Sequence, residues 1–104
     1  MYIGGSWCDA VSGLRMEACS PVHDEVIGTV PEGGAKDVDL AVEAVRGVQP
    51  QLEAMDIDQR AKMAMWVSDL IRASADELAQ ALTLDQGKPM YVEAVVEVER
   101  AADS

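Results

Sequence analysis

The spacing of apolar and polar residues changes once along this chain, near residue 35. Before that point apolar and polar residues alternate over residues 14–18, as they do in a half-buried strand. Gly4-Gly5 and Ser12-Gly13 have the composition of tight turns, because glycine adopts positive φ without steric cost. A third extended stretch is expected over residues 25–30, before Pro31. Residues 1–31 are therefore predicted to form a β-rich head.

From Ala35 the apolar residues recur at helical intervals of three and four. They are Val38, Ala41, Val42, Val45 and Val48. We expect this first helix to end near Gly47, at the break formed by Gln49-Pro50, because proline lacks the amide that helical hydrogen bonding needs.

A second helix is predicted from about Ile57 to Ala73, and Asp56 with Gln59 has capping-box spacing at its start. Its apolar residues lie on more than one side: Met63, Met65, Trp66, Val67, Leu70 and Ile71. A helix that is apolar on several sides needs cover from several neighbours. In 104 residues that cover is expected to be incomplete, which would leave an apolar patch around Trp66.

Ser74 and Glu77 form an S-x-x-E box that predicts a third helix, running through Leu84 and ended by Gly87. Pro89 is expected in the first turn of a fourth helix, where its missing amide costs nothing. The apolar stripe of that helix is predicted to comprise Tyr91, Val95, Val98 and Ala102. The predicted fold class is α+β and mostly α, with short strands in residues 1–31 and about four helices in residues 35–103.

Charge and composition narrow the possible partners. Lys and Arg total 8 against 19 Asp and Glu, and the resulting net charge of −11 opposes binding to nucleic acid or to an anionic membrane. The sequence contains no apolar run near the ~20 residues of a membrane span and no leader pattern after Met1. Two cysteines without Cys-x-x-Cys spacing favour reduced thiols, although a disulfide stays possible. A cytoplasmic chain with no nucleic acid or membrane partner is expected.

Nucleotide-binding motifs are incomplete. Gly87-Lys88 is similar to the end of a phosphate-binding loop, but Leu82 stands where the upstream glycine belongs and Pro89 where Ser or Thr belongs. Gly28, Gly33 and Gly34 lack the G-x-G-x-x-G spacing that brings backbone amides to a pyrophosphate. We therefore predict that this chain binds no cofactor by itself.

The remaining chemically active side chains favour structural interpretations. His23 is the only histidine, so a metal site or catalytic dyad would lack further members. Cys8 and Cys19 have no neighbouring base that would activate a thiol. No catalytic and no metal-binding residue is predicted.

Two further groups are interpreted in the same way. Glu93 and Glu97 share a helix face, and that spacing typically marks a solvated face, here partly balanced by Arg100. Met63 and Met65 lie next to Trp66, and filling of a core is favoured over a cofactor-binding or peptide-binding surface.

The run T-L-D-Q-G-K-P over residues 83–89, followed by Glu97, resembles a signature of the NAD(P)-dependent aldehyde dehydrogenases. Other segments resemble the family in the same order along the chain: residues 2–7, Pro21 with residues 25–31, residues 37–42 and residues 59–61. Ser20, His23-Asp24 and Leu52 depart from the family pattern without changing this order. The resemblance covers essentially the whole chain but only the front of a much longer enzyme.

For a complete enzyme, the resemblance implies attack of a cysteine thiolate on an aldehyde, hydride transfer to NAD(P)⁺ and hydrolysis of a thioester. It also implies that the catalytic cysteine, the general base, the oxyanion-hole asparagine and the phosphate-contacting loop lie beyond Ser104. In several relatives the residue matching Asp85, with carbonyls near the position of Cys19, helps to hold a structural monovalent cation. This chain, residues 1–104, would then be an N-terminal scaffold segment without a complete nucleotide-binding or catalytic domain.

Two other functions stay open on the sequence alone. The runner-up is a free-standing, acidic helical module that binds a partner protein through the helix around Trp66. An independent small enzyme is poorly supported, because one histidine and two unpaired cysteines do not make a catalytic set. The apolar second helix also predicts a homo-oligomer, most simply a dimer with Trp66 near the contact.

Overall fold

The computed structural model describes residues 1–104. Its strands are β1 (Tyr2–Ile3), β2 (Ser6–Trp7), β3 (Arg15–Cys19) and β4 (Val26–Pro31). Its helices are α1 (Ala35–Ala54), α2 (Ile57–Ala73), α3 (Ala75–Gln86) and α4 (Val95–Asp103), with a π-helical turn at Met90–Ala94 directly before α4. The predicted fold class is confirmed: short strands come first and the chain is 61% helical.

The strands form two small sheets. β1 and β2 are antiparallel, with Tyr2 opposite Trp7, and Gly4-Gly5 makes the tight turn with φ of 60° and 85°. β3 pairs with β4 in the second sheet. Backbone amides close both of its ends, from Glu32 to the carbonyl of Leu14 and from Ser20 to that of Glu25. The turns and extended stretches predicted for the head are therefore present.

The chain divides into two compact units. The first comprises residues 1–18 and 28–56, and the second comprises residues 19–27 and 57–104. None of the helices is both long enough and apolar enough to cross a membrane.

In the first unit, α1 starts after Gly34, whose backbone is extended (φ −115°, ψ −171°). The expected end near Gly47 is wrong, because α1 continues through Pro50 to Ala54. Proline removes the amide that would bond the carbonyl of Arg46, but both residues are exposed, so water can bond that carbonyl instead. Gln49 also donates a side-chain hydrogen bond to Glu53 across the proline, at 2.8 Å.

The second unit has a small core of Ala79, Ala94 and Val98. Partly buried neighbours surround it: Ile71, Ala75, Leu82, Met90 and Val95. No large side chain is fully buried anywhere in the chain. Helix α2 is tied to α4 by polar bonds, from the Ser68 hydroxyl to the carbonyl of Ala102 and from Arg72 to Asp103 at 2.6 Å.

The bounds of α2 agree with the sequence prediction, but the expected S-x-x-E box of α3 is absent. Ser74 is the N-cap of α3, yet its side chain makes no capping bond. Its amide still bonds the carbonyls of Leu70 and Ile71 in α2, and its backbone (φ −106°, ψ 14°) is not extended as a capping residue requires. Ser74 thus ends α2 through its amide and is also the residue at which α3 begins.

The fourth helix also starts differently from the prediction. Pro89 lies before the first turn, and its carbonyl accepts from the amides of Glu93 and Ala94 in a π-helical turn. A π turn holds one more residue than an α turn, which rotates the preceding residues relative to α4. Tyr91 is consequently 85% exposed, and Ala94 takes the predicted place of Tyr91 beside Val98 and Ala102.

Candidate functional site

The junction between α3 and the π turn depends on Gly87. Its φ is 71°, in the left-handed region, and its amide bonds the carbonyl of Thr83 at 2.9 Å. A Cβ at this position would lie 2.9 Å from Val22 Cγ2 and 3.2 Å from Pro21 Cγ. Glycine is needed twice over, for its backbone conformation and for the close approach of the turn at Pro21.

Lys88 holds the next part of the junction. Its Nζ donates to Glu97 Oε2 in α4, and both side chains are partly exposed. Glu97 is thus paired with Lys88, and Glu93 and Glu97 are both exposed, as predicted for a solvated face. Residues of the T-L-D-Q-G-K-P run thus serve to join α3 to α4.

The other sequence-derived candidates do not come together as a catalytic site. Cys8 and Cys19 are free and exposed, and His23 is exposed in the turn after Pro21. Asp85 is exposed at the end of α3. No group of three or more His, Cys, Asp or Glu residues is placed so that it could hold a metal ion.

Sequence reasoning missed the role of Asp37. This side chain is only 4% exposed, and its Oδ2 accepts from the Gly34 amide at 2.8 Å while Oδ1 accepts from the Val11 amide at 2.9 Å. These hydrogen bonds stabilise the charged carboxylate and hold the Asp37 pKa below its ordinary value of 3.8. The bond from the Gly34 amide has the largest effect, followed by the bond from the Val11 amide. The available signal was the acidic residue at the third position of α1, which can bond the capping amide.

Helix α2 has an exposed apolar surface, and none of its 17 residues is buried. Along one side runs a row of exposed apolar side chains that we call the α2 stripe: Met63, Trp66, Val67 and Leu70. The expected apolar patch is thus present. The core-filling interpretation of Met63, Met65 and Trp66 is wrong for this chain, because all three are exposed and Trp66 retains 62% of its accessible area.

The sequence model of the aldehyde dehydrogenase family matches residues 7–104. The chain belongs to the aldehyde dehydrogenase family. It is 38% identical over 102 residues to aldehyde dehydrogenase 1 of Tanacetum cinerariifolium, a match that covers 93% of the chain but 20% of the relative. The chain thus spans about a fifth of the length of this curated relative, and it corresponds to the N-terminal part of the family fold.

The backbone fold of the chain is similar to that of solved aldehyde dehydrogenases. Succinate-semialdehyde dehydrogenase from Burkholderia pseudomallei superposes with a TM-score of 0.92 at 38% identity, covering 97% of this chain and 21% of that one. A betaine aldehyde dehydrogenase point mutant from Staphylococcus aureus, solved in complex with NAD⁺, gives a TM-score of 0.89 at 28% identity, covering 97% and 21%. NAD(P) is accordingly the cofactor of the family.

Proposed function

We propose that this chain is the N-terminal scaffold segment of an NAD(P)-dependent aldehyde dehydrogenase and carries no catalytic, cofactor-binding or metal-binding residue itself. The observation that carries the proposal is the family match over residues 7–104 together with a length of only a fifth of the relatives. In a family-length enzyme, oxidation of the aldehyde and reduction of NAD(P)⁺ would be carried out by residues beyond those present here.

The role of the segment in this proposal is to supply packed surface. Exposed apolar side chains such as Trp7 and Trp66 would be covered by the remaining parts of a dehydrogenase. Residues 1–31 would act as a β-rich head and residues 35–103 as a helical part. Both cysteines are free thiols, which favours a reducing compartment, and we place the chain in the cytoplasm.

A chimera tests this function directly. Residues 1–104 would replace the corresponding segment of the succinate-semialdehyde dehydrogenase from Burkholderia pseudomallei, to which they are 38% identical. We expect the chimera to oxidise aldehyde with NAD(P)⁺, while the same enzyme lacking the segment does not. A folded chimera without activity above the truncated enzyme would contradict the proposal.

A second function is favoured by the exposed α2 stripe: a free-standing acidic module that binds a partner protein through Trp66. Sequencing the gene past codon 104 separates the two. Continuation into the rest of a dehydrogenase supports the scaffold segment, whereas a stop codon supports the module. For the isolated chain we propose a homo-oligomer, most simply a dimer.

A further inference from the structure

Helix α2 uses only one of its sides within the second unit. Ser68, Ile71 and Arg72 lie on the side that contacts α4 and the core. At roughly 100° per residue, the α2 stripe is centred about 140° around the helix from that side. Packing against α4 and exposure of the stripe are therefore compatible, and the stripe is available to a partner that leaves the unit intact.

The charge of α2 differs from that of every other helix. It carries three basic residues, Arg60, Lys62 and Arg72, against two acidic residues, Asp58 and Asp69, for a net charge of +1. Acidic residues outnumber basic ones in α1, α3 and α4, and the whole chain carries −11. Two copies of so acidic a chain repel one another, and α2 is the helix at which they approach with the least repulsion.

Two residues of opposite charge, Lys62 and Asp69, lie beside the stripe where a two-fold axis would bring each next to the other in a second copy. Lys62 and Asp69 are seven residues apart, which places them on the same edge of the stripe and about 10.5 Å apart along the axis. Lys62 forms no salt bridge within the chain, and Asp69 makes only an exposed 3.8 Å contact with Arg72. In an antiparallel pair, Lys62 of each copy would face Asp69 of the other.

We propose that two copies of the isolated chain associate through their α2 stripes, with the helices antiparallel and Lys62 of each copy beside Asp69 of the second copy. The proposal rests on the proposed function, because the second copy takes the place that the remainder of a dehydrogenase would otherwise occupy. The midpoints of the stripe and of the charged pair differ by one residue, about 1.5 Å, so one two-fold axis serves both. Residues 63, 66, 67 and 70 of both copies then lose their contact with water.

Sedimentation equilibrium of the 104-residue chain tests the pairing. We expect a dimer mass at micromolar concentration and a monomer mass for Trp66→Lys. Trp66 is exposed, so circular dichroism of that variant is expected to match the original chain. Tyr91→Lys, which changes another exposed aromatic residue away from the stripe, is the matched control and is expected to stay dimeric.

A charge exchange tests the antiparallel arrangement. Lys62→Asp places like charges together twice in the dimer and is expected to weaken association about tenfold. The double variant Lys62→Asp with Asp69→Lys restores both pairs and is expected to return to within about threefold of the original. Lys36→Asp changes the net charge by the same amount outside α2, and it separates the pairing from general repulsion.

Each outcome decides the proposal. A monomer at every concentration, or a dimer unaffected by Trp66→Lys, would overturn it while leaving the chimera result intact. Failure of the double variant to recover would overturn the antiparallel arrangement. Dimers that respond as expected, together with an inactive chimera, would support the pairing and reject the dehydrogenase function on which it rests.

Discussion

In the first compact unit a buried carboxylate joins distant backbone segments, whereas the second unit packs small apolar side chains. Asp37 connects the start of α1 to Val11, 26 residues earlier in the chain. Ala79, Ala94 and Val98 form the centre of the second unit, and no large side chain is fully buried. The first unit is therefore expected to respond to acid and the second to changes in side-chain volume.

The largest expected effect is overpacking of the second unit by Ala79→Leu. Ala79 has no exposed area, so three added carbons must displace Ala94 and Val98. We expect the free energy of unfolding to fall by about 3 kcal/mol. Ala81→Leu in the same helix is exposed and is expected to change it by less than about 0.5 kcal/mol. Equal urea midpoints for the two variants would contradict the core assigned to this unit.

Gly87→Val is expected to cost about 2 kcal/mol, measured by urea unfolding. The β-branched side chain meets both a positive φ and a 2.9 Å approach to Val22. Gly28→Val is the matched control, because Gly28 lies in β4 with open space around it and no positive φ. An unchanged free energy of unfolding for Gly87→Val would show that the junction tolerates a side chain.

In the first unit, Asp37→Asn removes the charge and one acceptor oxygen from the bonds to Gly34 and Val11. We expect faster hydrogen exchange of the Gly34 and Val11 amides, with a smaller effect on the second unit. Asp39→Asn, on an exposed residue of the same helix, is expected to leave both amides protected. Unchanged exchange in Asp37→Asn would mean that these bonds do not hold the unit together.

Lowering the pH is expected to have the smallest effect on stability, and it is again expected to act on the first unit through Asp37. Because folding lowers the Asp37 pKa below 3.8, this residue contributes stability above pH 3.8. That contribution is lost as the pH falls from 3.8 towards the folded pKa. We expect the Gly34 and Val11 amides to lose protection in this range, and we expect this acid response to be absent from Asp37→Asn.

Local features of the sequence predicted much of the fold. The bounds of α2 and the end of α3 at Gly87 follow from helical periodicity and from the conformational freedom of glycine, both encoded within a few residues. The predicted end of α1 before Pro50 was wrong, because the free-energy cost of a proline inside a helix depends on whether the carbonyl four residues earlier can bond water. The prediction that Tyr91 belongs to the apolar stripe of the fourth helix was wrong, because the π turn changes which residues face the core.

The site was harder to predict, for a related reason. The second bond of Asp37 comes from Val11, and no local pattern connects residues 26 apart. The apolar residues of α2 have the composition of a core, and only the structure distinguishes a covered stripe from an exposed one. Family membership, by contrast, was evident from ordered motifs along the whole chain.

Calorimetric titration of the isolated chain with NAD⁺ and NADP⁺ tests the central claim most directly, with the Staphylococcus aureus betaine aldehyde dehydrogenase variant solved with NAD⁺ as the positive control. A scaffold segment without a phosphate-binding loop predicts no saturable heat for this chain under conditions in which the control binds. Saturable binding at micromolar NAD⁺ or NADP⁺ would contradict the account and would place a cofactor site within these 104 residues.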